Sequence, residues 1–364
     1  MAMRHIAVLG AGINGITSAT VLQESGFSTT VFAPLRADQN TDKERNPEFA
    51  SIFPAACILP HSVEGDDVLD LFSRSQEVFA RLAAIQQSGI RWQHHYELDA
   101  AEAVTLPPYA RTLAEFSPFD STRGHLPFDT IVGRRLSGWM ARILFAEMPT
   151  YLTYLFRRYL LSGGQIIPQS VHPDEFRSLP ASLIVNCTGI WARSLFGDPA
   201  VHPVRGYLTF IRNAPVPPEP TGLFSYNYKP PDDEYPFDVY FFPRKAMDAG
   251  NAPGWLLGGT REVGEPGNDG TWRFPATGVE MKDGIPAAIT SLNRVLLQRL
   301  TGIDIASHDK TFCWGLRPGR RGGIRLELSN EDGTPIVHNY GHGGAGVALS
   351  WGCALRVLEM VRSL

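Results

Sequence analysis

Close to the start of the chain runs Ile6-Ala7-Val8-Leu9-Gly10-Ala11-Gly12-Ile13-Asn14-Gly15, an apolar run followed by glycines at G-x-G-x-x-G spacing. Four consecutive apolar residues suit a buried parallel strand. Beyond the glycines, Ile16, Ala19 and Leu22 recur at helical spacing, and Thr29 to Phe32 supplies a second strand. Gly10 permits the tight turn, Gly12 lets the backbone approach a phosphate, and Gly15 lets helix and strand pack closely. The N–H groups and positive end of such a helix meet an anion. The motif alone would be a plain glycine turn; set between a strand and a helix it reads as a dinucleotide site. The acidic residue expected about 20 positions on, to bind a ribose, is missing. The second strand ends Val31-Phe32-Ala33-Pro34, so the ribose falls to Arg36, Asp38 or water.

A chain of 364 residues predicts two domains. With 43% apolar and 19% charged residues it reads as an ordinary globular protein. A net charge of −4 gives no reason to expect nucleic acid or an anionic membrane as partner. Cys57, Cys187, Cys313 and Cys353 lie far apart, which suits reduced thiols and predicts no metal site. The first strand leaves no room for a signal peptide, no apolar run suggests a membrane span, and Arg362-Ser363-Leu364 is not a peroxisomal address. The expectation is a cytoplasmic protein.

Ala37 to Glu48 reads as a polar loop and Asp67 to Gln87 as a helix. Leu136 to Leu161 has helical character, with Pro149 dividing it into two helices. Gln165 to Pro168 and Ala181 to Asn186 read as strands. From Pro203 to about Ser307 the strand-like runs Tyr207 to Ile211, Asp238 to Phe242 and Trp255 to Leu257 are broken by proline and glycine, as in an antiparallel sheet. Leu316 onward returns to strand, glycine loop and a helix over Ala348 to Arg362. The chain leaves the nucleotide layer and comes back, which puts a pocket at the junction.

Three separated segments resemble one known family. Val185-Asn186-Cys187-Thr188-Gly189-Ile190-Trp191-Ala192 resembles the NCTGxWA stretch of the D-amino-acid oxidase family, and Gly315-Leu316-Arg317-Pro318 its GxRP motif. His338-Asn339-Tyr340-Gly341-His342-Gly343-Gly344-Ala345-Gly346, followed by Trp351-Gly352-Cys353-Ala354, is similar to its C-terminal loop and helix. With the N-terminal fingerprint, the resemblance spans nearly the whole chain in matching order. Glycine and sarcosine oxidases share the wider fold.

The resemblance implies an α/β protein in which a Rossmann-like FAD-binding domain (1–75, 150–200 and 310–364) is interleaved with an α+β substrate domain (76–149 and 201–309) containing a mainly antiparallel sheet. FAD would lie on Gly10, Gly12, Ile13, Asn14 and Gly15, with Arg36, Ser51, Thr188 and Gly189 nearby and the Val171 backbone at the adenine. Ala55, Ala56, Cys57 and Ile58 would pass along the flavin. Gly343, Gly344, Ala345, Gly346, Val347 and Ala348 would face it from the C-terminal loop, where four glycines within six residues suit contact with an anion. Arg317, counted with substrate and cofactor alike, would grip the substrate carboxylate through a planar guanidinium; without the motif it would read as a solvated surface group. Tyr240, Tyr235, His61 and Gly344 complete the expected substrate residues.

The implied reaction is oxidative deamination of a D-amino acid, with hydride passing from Cα to flavin N5, oxygen as acceptor, and 2-oxo acid, ammonia and hydrogen peroxide as products. No side chain need act as general base, because the cofactor carries the chemistry. The alternatives are a glycine/sarcosine-type amine oxidase, an FAD-dependent amino-acid dehydrogenase, or a non-catalytic flavin-binding protein. A homodimer stays open. Asp232, Asp233, Glu234 and Asp238 lie in the expected lid, Asn227 to Tyr240, and read either as a solvated loop or as a preference for basic side chains.

Overall fold

The structure, a computed structural model, describes residues 5–39, 43, 45–53, 55–101, 105–119, 136–215, 223–245, 253–267, 271–331 and 333–364; part of the 37–48 loop therefore lies outside the described residues. Its first strand, His5–Ala11, lies between Ser28–Arg36 and Leu183–Asn186, parallel to both. Neighbours on both edges and cover on both faces explain why Ile6, Ala7 and Val8 are fully buried. Gln165–Ile167 and Thr334–Tyr340 extend the sheet in parallel, and Arg325–Glu331 closes it antiparallel, giving six strands among the described residues.

The helix Ile13–Glu24 starts directly after the glycine turn. It packs on the C-terminal helix Gly346–Arg362, which also covers Val68–Ala83. The two chain ends are fastened side by side: Asn339 Nδ2 donates to Ser18 Oγ at 3.0 Å, and Asn14 contacts His342 Nδ1 at 3.3 Å. By length and hydropathy the helical run Gly343–Arg362 could cross a membrane, yet most of it is buried within the fold, with Leu349, Cys353 and Val357 at zero exposure.

Among the described residues the second sheet has ten strands and one parallel pairing, Phe224–Lys229 with Ile90–Asp99. The remaining pairings are antiparallel, the character expected of the second sheet. It includes Ala55–Cys57 and Lys310–Arg320, so strands from early and late in the chain meet in one sheet. Ala287–Thr301 covers one face, packing Leu296 and Leu297 into a core with Tyr226, Phe241 and Trp255.

One expected element is different. Residues 137–147 form a strand, Ser137–Glu147, and only Met148–Leu161 is helical. Trp139, Ala141 and Ile143 pack toward the C-terminal helix while Leu144 and Ala146 join the core around the first strand. A strand covered on both faces shows no period of two, and its Met, Ala, Arg and Leu are good helix formers, so local pattern points the wrong way. Pro149 sits in the first turn of the helix and starts it, where a missing N–H costs nothing.

Candidate active site

Two adjoining cavities, of about 270 and 230 Å³, share a wall made by Ile13, Asn14, Ala50, Ser51, Pro318 and His342. The larger begins at the glycine turn. Leu9 to Asn14 line it, with Phe32 to Leu35 beyond the second strand, Gln169 to His172, and Cys187 to Trp191. The smaller runs between Ala55–Cys57, the loop at Gly343, Gly344, Gly346 and Val347, and the floor of the second sheet.

That floor carries the substrate candidates. Arg317 lies on Lys310–Arg320, which pairs along its whole length with Val201–Arg212. Its guanidinium lies over Gly206, where any Cβ would approach Nη1 to 2.5 Å, so the glycine is what gives the arginine room. Nη1 donates to the Thr260 carbonyl at 3.1 Å, and among the described residues no carboxylate pairs with this side chain. Tyr240 packs over Gly258, its direct partner on the next strand. Burial pushes the Tyr240 phenol up, against the pull of Arg317 and Arg261, so it stays a donor at neutral pH. Burial lowers Arg317 from its ordinary value, but a guanidinium stays charged. Gly319 bridges to His342, tying the Arg317 strand to the glycine loop.

Most sequence candidates come together here. Gly10, Gly12, Val171, Thr188 and Gly189 line the larger cavity, and Ile13, Asn14 and Ser51 line both. Ala55, Ala56, Cys57, His61, Tyr240, Arg317, Gly343, Gly344, Gly346 and Val347 line the smaller. Six candidates line neither. Gly15 presses on the Gly10 carbonyl, the close helix–strand packing its position predicts. Ile58, Ala345 and Ala348 are core residues. Arg36 is engaged with Asp38 at 2.7 Å and over the Phe156 ring. Tyr235 turns into the core, donating to the Gly259 carbonyl at 2.6 Å.

The sequence reading missed Glu48, the one carboxylate on the described wall of the larger cavity, and Arg261 and Asn227 in the smaller. Arg261 pairs with Asp238 at 2.6 Å and donates to Ser62 Oγ at 2.9 Å. Of the lid acids, Asp232, Asp233 and Glu234 are exposed on the turn between two antiparallel strands, and Asp238 is offset by Arg261.

Residues 5–360 match the profile of the DAO family, described as FAD dependent oxidoreductase. The chain belongs to that family. It is an enzyme of the FAD-dependent oxidoreductases and its cofactor is FAD. A D-amino-acid oxidase of Rubrobacter xylanophilus is 33% identical over 95% of this chain and 92% of that protein. One of Streptomyces coelicolor is 30% identical over 96% and 94%. Glycine oxidase from Geobacillus kaustophilus has the same fold, with TM-score 0.64 and 13% identity over 99% of this chain and 95% of that one.

The DAO-family cofactor suits these residues. His342 is buried at the junction of the two cavities, and burial lowers its pKa to about 4, so it is neutral. With Asn14 Nδ2 donating to Nδ1, the proton sits on Nε2, which has no partner among the described residues. Asn14 Oδ1 is similarly orphaned. Buried polar atoms without partners are uncommon and mark a place for a polar ligand. No acidic residue occupies the first turn of Ile13–Glu24, so its positive end keeps its pull on a pyrophosphate.

Proposed function

We propose that this enzyme oxidises a D-amino acid at Cα, converting amino acid, oxygen and water to 2-oxo acid, ammonia and hydrogen peroxide. The observation that carries the reading is Arg317, a half-buried guanidinium at a cavity wall with no carboxylate partner among the described residues. A charge so placed is costly unless an anion joins it, and its fork matches an α-carboxylate through two parallel N–H bonds. The Tyr240 hydroxyl, beside it, donates a third. With the acid group fixed at these points, the Cα–H direction is set, and orientation of this kind is worth several kcal/mol of barrier. Leu208, Phe242 and Leu256 give the cavity an apolar wall that limits water around the reacting carbon.

Gly10, Gly12, Ile13 and Asn14 would hold the FAD pyrophosphate, Glu48 is the acid available near the ribose, and Ala55 to Cys57 with Gly343 to Val347 would flank the ring. When bound, FAD supplies the two-electron acceptor, and oxygen takes the electrons from it. Relatives named D-amino-acid oxidase at 30–33% identity support the D configuration.

The test is an aerobic assay of the FAD-loaded enzyme on D- and L-alanine, D-arginine, D-aspartate, glycine and sarcosine, scoring peroxide and 2-oxo acid together. Turnover of one or more D-amino acids above their L-forms and above sarcosine is expected. Turnover confined to glycine or sarcosine would replace this reading with an amine oxidase of the same fold.

A further inference from the structure

Behind the smaller cavity, the second sheet carries a polar patch that the reaction above does not use. Gln93, His95 and Glu97 alternate along Ile90–Asp99. Ser225 and Asn227 lie opposite His95 and Glu97 on the neighbouring strand. His61 reaches the patch from the loop after Ala55–Cys57. Its Nε2 lies 3.1 Å from Glu97 Oε1, and His95 Nε2 lies 3.0 Å from the same oxygen. All three donor atoms fall within 4.8 Å of one another.

We propose that His61, His95 and Glu97 form a binding site for one divalent transition-metal ion of the zinc type. Two imidazoles and a carboxylate are a donor set zinc accepts. Bond lengths of about 2.0–2.2 Å put neighbouring tetrahedral donors roughly 3.3–3.6 Å apart, a few tenths of an ångström beyond the two His–Glu spacings found here.

The surroundings are those of ligating histidines. Tyr109 Oη meets His61 Nδ1 at 3.1 Å, and Ser225 Oγ meets His95 Nδ1 at 2.9 Å. A hydroxyl can accept as well as donate, so both rings can carry their proton on Nδ1 and present a bare Nε2 to a metal. Asn227 Nδ2 donates to Glu97 Oε1 at 2.9 Å and steadies the carboxylate. His95 is fully buried, whereas His61 and Asn227 line the substrate cavity. The cluster therefore borders that cavity, the side from which an ion and water can reach it.

The competing occupant is a proton shared in a hydrogen-bonded histidine–glutamate cluster, and metal counting separates the two. FAD-loaded enzyme is stripped with chelator, dialysed against micromolar zinc and then metal-free buffer, and analysed for zinc by mass spectrometry. FAD is counted by absorbance in the same sample. The wild type is expected to keep about one zinc per FAD and to gain thermal stability with zinc. His95→Gln and Glu97→Gln are expected to bind at least roughly 100-fold more weakly, since loss of a mere outer partner costs about 10–100-fold. If those buried variants fold poorly, His61→Ala at the cavity surface serves in their place, with retained FAD as the folding check. No zinc retained by the wild type, or equal zinc in wild type and folded variants, overturns the site. Neither result depends on which substrate the enzyme oxidises.

Discussion

At the scale of single residues, the arrangement turns on space left by glycine. Arg317 and Tyr240 each lie over a glycine, Gly206 and Gly258, and a methyl group at either would push the side chain above it out of position. Gly206→Ala is therefore expected to raise KM for the substrate while FAD stays bound, as measured by steady-state kinetics and the flavin spectrum. Tyr240→Phe keeps the ring and loses one hydrogen bond to a charged group, about 1.5–3 kcal/mol. The expected outcome is a fall in kcat/KM of roughly 10- to 100-fold. An unchanged kcat/KM would remove Tyr240 from the carboxylate site. Arg317 was legible in the sequence because its four-residue motif is local. Arg261 and Asn227 were not, since their places depend on strand pairing between residues far apart, such as Asn227 opposite Glu97.

At the scale of elements, the glycine turn and its helix behave as the pattern of residues 6–22 implies. Gly15 touches the Gly10 carbonyl so closely that a side chain has nowhere to go. Gly15→Val should therefore push helix from strand, costing about 1–3 kcal/mol or more. The protein should purify with a lowered ratio of flavin to protein absorbance and a lowered Tm; a full flavin complement would contradict this. The strand Ser137–Glu147 was illegible because cover on both faces erases alternation. The strand Ile90–Asp99 does alternate, but alternation distinguishes two faces without saying which is inside. Its polar face, Gln93, His95 and Glu97, turns out to be the one against the cavity wall, while Tyr96 and Leu98 enter the core.

At the scale of the molecule, the chain's ends close on each other through buried polar contacts, and two buried histidines, one in the last strand and one in the loop after it, are held neutral. Burial lowers His338 and His342 to about 4 from an unfolded value near 6.5. The unfolded chain thus binds more protons between those values, and stability rises with pH there. Acidifying from pH 7 to 4 should remove on the order of a few kcal/mol at the limit. Denaturant melts at pH 7 and pH 5 test this, and replacing both histidines by asparagine should flatten the difference. Stability unchanged or increased on acidification would contradict it.

The joint placement of a flavin and Arg317 around one cavity is tested most directly by rapid mixing of anaerobic, FAD-loaded enzyme with the D-amino acid that proves the best substrate. In wild type the visible flavin band should bleach, with half-saturation at low substrate. In Arg317→Met the band should be present at full strength beforehand and bleach only at concentrations higher by roughly 100-fold or more, the loss of two charge-assisted hydrogen bonds. Equal half-saturation in the two proteins would mean that the guanidinium does not hold the substrate.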